Sequence, residues 1–408
     1  MSSTEIGRCL VCDSRALIPY MNLGDQPLAN SFSSEAGKIQ EKYPLMVNFC
    51  HSCSHNQLSH RVDPEILFKD YLYVSGTSKT LSDHFDSYAD YIFNRFGTTG
   101  IRVLEIASND GSLLEKFSKR GATVLGVDPA ENLKPISESK GIPTIADFWP
   151  CPVDGKFDVV IANNVLAHHP DPVGFLSSLP PEALVCVEFP IFNSSVETLD
   201  IGQIYAEHIS YFNHNSFSIL AQRAGYGIVD FIEFPDIHGG TVRFILEKGA
   251  KQCEKMTNMI KVERVQGFHD IAKYQLFYDK VAVNLLGLVT CCNIQTTINY
   301  KIVGYGAAAK ASTILSTLAD SLPVDFFVDD SPHKVGKFMP GTSREIFPTS
   351  KLGEVEGPMA IIVFAHNFKK EIKENIKKYR QPSQKDIIIN IVPKVTVEDL
   401  YEATAETH

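Results

Sequence analysis

The sequence predicts an α/β protein in which a small metal-binding module precedes two doubly wound units of parallel strands. Three observations predict it. Two Cys-x-x-Cys pairs, Cys9 with Cys12 and Cys50 with Cys53, open the chain. Residues 101–129 read as strand, tight polar turn, helix and strand, because a short apolar run gives way at once to a helical apolar spacing. From Tyr300 the same order returns around Gly304-Tyr305-Gly306. At 408 residues the chain is long enough for several cores. The expected domains are 1–68, 69–250 and 251–408.

Composition narrows the function classes. With 38 Lys and Arg against 48 Asp and Glu, the net charge is -10, which argues against general affinity for nucleic acid phosphates while allowing a local basic pocket. The first sixty residues set Arg8, Arg15, Lys38 and Lys42 against Glu5, Asp13, Asp25, Glu35 and Glu41, so no basic face surrounds the cysteine pairs. No run of about eighteen apolar residues and no leading charged-then-apolar signal is present, and a cytoplasmic protein is expected. Cys151, Cys186, Cys253, Cys291 and Cys292 form no framework, as suits reduced thiols.

The two cysteine knuckles are separated by enough chain for a small sheet. Four thiolates so paired close tetrahedrally on one zinc ion and leave no open position, which implies a structural site without metal chemistry. His51 and His55 flank the second knuckle, and a three-cysteine, one-histidine site would need one thiolate to drop out. Beyond it, Tyr71, Tyr73, Ser75, Gly76, Thr77, Ser78 and Lys79 put rings beside hydroxyls, amides and a cation. That mixture suits a sugar and its phosphate. It equally suits a loop in which Ser78 or Thr80 caps the amphipathic helix expected over 81–96.

The turn at 105–111 decides the cofactor. Val103 to Ile106 runs into Ala107-Ser108-Asn109-Asp110-Gly111, and the next strand, Ala122 to Val127, ends on Asp128 at the spacing of a ribose-binding acid. A dinucleotide turn would be Gly-x-Gly-x-x-Gly, whereas Glu105 and Asp110 would repel a pyrophosphate. Both acids suit a cofactor with a sulfonium and an α-ammonium, because a half-buried cation needs a carboxylate partner. S-adenosylmethionine is that cofactor, and the fold expected is a class I Rossmann-like methyltransferase core. Glu105, Ala107, Asn109, Asp110, Gly111 and Asp128 are expected to hold it, with Asp147 and Phe148 beside the adenine and Asn163 ending the fourth strand, 157–162.

Ligands of such sheets sit outside the carboxyl ends of the strands. His168 and His169 follow the fourth strand, and the fifth, 183–189, leads to Tyr205, Glu207 and His208. These three read either as reaction-site residues or as a solvated helix start. Strands expected at 227–233 and 240–247 enclose His238-Gly239-Gly240 and Arg243, where glycines permit close backbone approach and the guanidinium suits an anion. Helical sequence over 253–288 joins the last unit, with strands expected at 300–303, 324–328, 360–365 and 386–391. Its loop, Gly304 to Lys310, reads as a nucleotide turn or as a bare scaffold.

Tyr71-x-Tyr-x-Ser-Gly-Thr-Ser78, Glu105-Ile-x-x-Asn-Asp-Gly111, Asn164-x-Leu-x-His168, Tyr205-x-Glu-His208, His238-Gly-Gly-x-x-Arg243 and Gly304-Tyr-Gly-Ala-x-x-Lys310 follow the paired cysteines in order. The chain thereby resembles the S-adenosylmethionine-dependent C-methyltransferases of nucleotide-sugar metabolism, above all the sugar C3-methyltransferases of branched deoxysugars. The likeness runs from Cys9 to about Asn367. It implies one structural Zn2+ on Cys9, Cys12, Cys50 and Cys53, and a small-molecule NDP-4-keto-6-deoxyhexose as substrate, with no nucleic acid or membrane partner. It implies that Tyr205, Glu207, His208, His168 and Tyr73 are catalytic, and that Ser75, Thr77, Ser78, Lys79, His238, Gly239, Gly240 and Arg243 face the substrate. Oligomeric state is left open.

The chemistry is consistent with that placement. A carbon next to a ketone attacks a sulfonium methyl only after losing its proton, and only if the enolate is stabilised. His208 is a credible base, with Glu207 orienting it and Tyr205 or His168 donating to the keto oxygen. Methylation on oxygen or nitrogen, which needs no enolate, and a zinc-knuckle nucleic-acid methyltransferase are the competing readings.

Overall fold

The computed structural model describes residues 3–68, 76, 79–97, 100–237 and 239–401. Its contacts divide the chain into two compact units, one of residues 1–19, 47–192 and 207–271 and the other of residues 20–46, 193–206 and 272–408. Residues 20–46 and 193–206 pack with the C-terminal segment instead of with their chain neighbours.

The first unit is centred on seven strands: β1 (Arg102–Ile106), β2 (Thr123–Val127), β3 (Thr144–Ile145), β4 (Val159–Asn163), β5 (Leu184–Pro190), β6 (Tyr226–Phe234) and β7 (Thr241–Lys248). Their order in space is β3-β2-β1-β4-β5-β7-β6, parallel except for β7, which is antiparallel to both its neighbours. Alternate residues feed two cores, Val103, Val159 and Ile161 into one and Leu104, Val160 and Ala162 into the other, as the pleat requires of a sheet covered on both faces. Helix α1 (Lys79–Phe96) buries Leu81, Phe85, Tyr88, Ile92 and Phe93 at helical spacing in the first core, together with Leu113 and Phe117 of α2 (Ser112–Lys119). Helix α3 (His214–Arg223) starts in a reciprocal cap, Ser216 N donating to Asn213 Oδ1 at 2.7 Å and Asn213 N to Ser216 Oγ at 3.1 Å. The strand order reverses between β1 and β4, and the crevice at their carboxyl ends is where such a sheet holds a ligand.

The second unit carries β8 (Lys301–Tyr305), β9 (Phe326–Asp329), β10 (Ile346–Pro348), β11 (Met359–Val363), β12 (Ile387–Asn390) and β13 (Thr396–Asp399). They lie in the order β10-β9-β8-β11-β12-β13, with only β13 antiparallel. The edge strands β10 and β13 escape sequence reading because they are three and four residues long and lack a buried run. The helical stretch expected as a linker is two helices, Glu254–Val265 and α4 (Ile271–Thr297), interrupted where Gly267 takes φ 86°. Helix α5 (Ala309–Leu318) follows the second glycine loop. Among the described residues no helix is long and apolar enough to cross a membrane.

Candidate active site and zinc centre

The Sγ atoms of Cys9, Cys12, Cys50 and Cys53 lie within 4.8 Å of one another, Cys9 3.5 Å from Cys53 and Cys12 3.6 Å from Cys50. Zn–S bonds of about 2.3 Å make a tetrahedron with edges of about 3.8 Å, so the cluster is already near the size of its ion. The knuckles turn alike. Asp13 (φ 62°) and Ser54 (φ 59°) are left-handed, and their amides donate to the carbonyls of Cys9 and Cys50 at 2.9 and 2.8 Å. The bond to Cys50 pushes the Cys9 and Cys53 thiols up, and the bond from Cys53 pulls Cys50 down. Such a cluster concentrates negative charge on one sulfur, and only a divalent cation lets all four ionise together. His51 is exposed, and His55 is buried against the Phe212 ring at 5.0 Å with Nε2 3.3 Å from Ser210 Oγ. Burial pushes His55 down to about 3. The four sulfurs are the candidate ligand set.

The turn after β1 is built on left-handed backbone. Ala107 (φ 59°), Asn109 (φ 50°) and Gly111 (φ 73°) are left-handed, and a Cβ on Gly111 would come 2.5 Å from Ser137 Oγ. Asp128 pins the turn, its Oδ2 accepting Asn109 N and its Oδ1 accepting Ala130 N, both at 2.8 Å. Burial raises its carboxyl, and these two amides oppose the shift. Glu105 is buried with Oε2 unpartnered, and burial, then the charges of Asp110 and Asp128, raise its carboxyl well above the usual range. Ser108 Oγ and Asn163 Nδ2 are likewise buried without partners. A bare acceptor and two bare polar groups at the ends of adjacent strands fit the zwitterionic end of S-adenosylmethionine, the ammonium on Glu105 and the carboxylate on Asn163 and Ser108.

Asp110 behaves otherwise. Its Oδ2 is 2.6 Å from Lys140 Nζ and accepts Ser112 Oγ at 2.8 Å, so the acid locks the start of α2 instead of facing a cation of the cofactor. Gly76 belongs to this corner, for a Cβ there would meet Ser112 Oγ and Asp110 Oδ2. Asp147 is exposed and its Oδ1 accepts Phe148 N at 2.8 Å.

Beyond β4, His168 and His208 come together with ring centroids 4.6 Å apart, and Phe68 closes on His168 edge-on at 5.4 Å. His168 Nδ1 is 2.8 Å from the carbonyl of Glu207, which can only accept, so this nitrogen carries the proton. Burial pushes His168 down to about 4, against the pull of the Glu207 and Asn164 carbonyls. The ring is neutral near pH 7, and its Nε2 carries a lone pair. Glu207 is itself buried. Tyr205 belongs to the second unit, in segment 193–206.

Comparisons with known proteins match residues 9–68 to a putative zinc binding domain, 81–230 to a methyltransferase domain and 236–393 to a C-methyltransferase C-terminal domain. The C-methyltransferase NovU of Streptomyces niveus is 29% identical over 413 residues, 96% of this chain and 97% of its own. The chain is an S-adenosylmethionine-dependent methyltransferase that carries a C-methyltransferase C-terminal domain. Part of this C-methyltransferase is also similar to the ubiquinone biosynthesis O-methyltransferase of Actinobacillus pleuropneumoniae serotype 5b (strain L20), 30% identical over 139 residues, 29% of this chain and 58% of that one. Among solved structures, magnesium protoporphyrin IX methyltransferase from Synechocystis PCC 6803 with bound SAH matches 41% of this chain and 82% of its own at 17% identity and a TM-score of 0.35.

The substrate residues expected from sequence fare unevenly in this C-methyltransferase. Arg243 is not an anion anchor open to a ligand: it is 1% exposed, its Nε donates to Glu188 Oε2 at 2.7 Å and its guanidinium lies 3.2 Å from the Tyr88 ring centre. His84 Nε2 takes the other Glu188 oxygen at 2.7 Å. Burial pushes Glu188 up, but Arg243 and His84 more than offset it and hold the carboxyl below its usual range. A guanidinium so desolvated needs its carboxylate, and that need decides its place. No local sequence signal marks the cluster, because its members come from α1, β5 and β7. Gly239 and Gly240 are left-handed (φ 81° and 110°), and the Gly240 carbonyl accepts Ile191 N at 2.9 Å beside the end of β5. Lys79 is exposed and pairs with Asp83 at 2.7 Å. Tyr73, Ser75, Thr77, Ser78 and His238 lie outside the described residues.

Proposed function

We propose that this C-methyltransferase transfers a methyl group to C3 of an NDP-linked 4-keto-6-deoxyhexose through an enolate, in the making of a branched deoxysugar. The observation that carries the reading is the His168–His208 pair beside the buried Glu207, at the end of β4. Bound S-adenosylmethionine supplies an electrophilic methyl on its sulfonium. His208 takes the C3 proton, which the neighbouring ketone acidifies, and negative charge moves to the C4 oxygen. The pair of electrons left on C3 then displaces the sulfur from the methyl carbon, so one C–C bond forms as one S–C bond breaks.

The tautomer of His168 divides the remaining roles. With its one proton spent on Glu207, neutral His168 has no hydrogen to give the C4 oxygen and acts as an acceptor, for a sugar hydroxyl or for His208. The donor to the developing enolate is then Tyr205. Glu207, the residue before His208, holds His168 through its carbonyl and keeps its own side chain buried. The acidic net charge supports a small-molecule substrate over nucleic acid.

The test is a panel of NDP-4-keto-6-deoxyhexoses with labelled methyl donor, the product's new methyl located by NMR. At least one keto sugar should gain a methyl on C3. Tight cofactor binding with no keto sugar accepted, or a methyl found on oxygen or nitrogen, overturns the reading.

A further inference from the structure

Segment 193–206, which carries Tyr205, packs with the second α/β unit, and the residues that fasten it there come from the carboxyl ends of two adjacent strands. Lys310 lies at the start of α5 after β8, and His366 follows β11. Between them lies the buried carboxylate of Asp200, its Oδ2 3.1 Å from His366 Nε2 and 3.9 Å from Lys310 Nζ. Its Oδ1 accepts the amide of Gly202 at 2.7 Å. A Cβ on Gly202 would stand 2.7 Å from that oxygen and 3.0 Å from Lys310 Cβ, so the chain lies flat on the lysine stem. One turn further along α5, Thr313 Oγ1 donates to the Ile204 carbonyl at 3.1 Å. Tyr205 is the next residue.

This is the place where a doubly wound sheet ordinarily receives its ligand, at the reversal of strand order and a helix N-terminus. Here the protein's own carboxylate fills it. Burial pushes Asp200 up, but Lys310 and His366 more than offset it and keep it ionised.

We propose that Asp200, held by Lys310 and His366, is a clamp that fixes the backbone leading to Tyr205 and so sets that side chain for its part in the enolate step. Asp200 is a positioning residue in this scheme and touches no substrate. The idea rests on the reading of Tyr205 as donor to the enolate. The clamp itself does not depend on that reading.

Two readouts separate them. Amide hydrogen exchange of the full chain should quicken at 201–206 in Asp200→Asn and in Gly202→Ala, with β8 and β11 unchanged as the control for folding. Unchanged exchange at 201–206 in both overturns the clamp. Turnover of an accepted keto sugar should fall about tenfold in kcat in Asp200→Asn, with cofactor Kd and sugar KM within about twofold of the parent. Adding Asp200→Asn to Tyr205→Phe should then cost little more, since both changes act on one step. Full additivity of the two substitutions overturns action through Tyr205. If Tyr205→Phe alone turns over at the parental rate while exchange still quickens, the role of Tyr205 fails and the clamp stands.

Discussion

After β1 the chain turns through Ala107, whose amide donates to the Val127 carbonyl, and Asp128 accepts the amide of Asn109; after β8 it turns through Gly306, whose amide donates to the Val328 carbonyl, and Asp329 accepts the amide of Ala307. The correspondence extends to the far side of each acid, where Ala130 N and Ser331 N donate to Asp128 Oδ1 and Asp329 Oδ1, both at 2.8 Å. The difference lies one residue back along each strand. Glu105 faces Gly126, whereas Gly304 faces Phe327, so the bulk has changed sides. A Cβ on Gly126 would come 2.4 Å from Ser108 Oγ, and one on Gly304 2.4 Å from Phe327 Cε1. The first turn keeps a buried acid with a bare oxygen. The second has neither that acid nor the room for one, and Lys334 Nζ stands 3.4 Å from its Asp329. Two turns on one backbone plan thus differ in the chemistry they present by a single exchanged pair, which is why fold alone does not give function.

That contrast can be broken in several places. The largest effect belongs to the first unit's histidines: His208→Asn should lose methyl transfer by about a hundredfold or more while binding S-adenosylmethionine as the parent does, read by single-turnover kinetics beside calorimetry. Asp128→Ala should raise the cofactor Kd about tenfold or more, a charge-assisted bond being worth roughly 1.5 to 3 kcal/mol, and Asp329→Ala should leave it unchanged. Equal loss in both would make the two turns equivalent.

Glu105 gives the contrast a pH signature. Its carboxyl is raised in the free protein, so it binds the cofactor's ammonium only by releasing its proton. Affinity should rise with pH, by at most about tenfold per unit, until the free protein's Glu105 is ionised. The sign follows for stability too: the free protein loses stability as pH rises above about 4.5, where the unfolded carboxyl ionises and the buried one does not. Calorimetry in buffers of different ionisation enthalpy should detect the released proton, and Glu105→Gln should abolish the release.

Gly304→Ala is expected to destabilise by about 1 to 3 kcal/mol, because the Phe327 ring must move, and to leave cofactor binding alone. Denaturant midpoints at constant slope read this. The smallest effect on turnover is expected at the metal. Cys12→Ser should hold less than about half an equivalent of zinc, with near-normal activity in whatever stays folded, and loss of chemistry with zinc retained would contradict a structural site.

Much of this was legible in the sequence, for physical reasons. Cysteine pairs carry their geometry in their spacing, and strands buried on both faces read as apolar runs, so the knuckles and most central strands lie where expected. Partners that fold in from elsewhere left no local mark. Asp110 looks like a cofactor ligand until Lys140 arrives, Arg243 like an anion site until Glu188 and His84 claim it, and nothing near Lys310 in the sequence announces that Asp200 lies against it.

The central claim is that His208 removes the C3 proton of the sugar. Exchange of that proton with deuterated solvent, followed by NMR in the presence of a non-reactive cofactor analogue, tests it without methyl transfer. Exchange is expected in the parent, none in His208→Asn, and slowed exchange in Tyr205→Phe; exchange that survives in His208→Asn and vanishes in Tyr205→Phe would give the base to Tyr205 and contradict the assignment to His208.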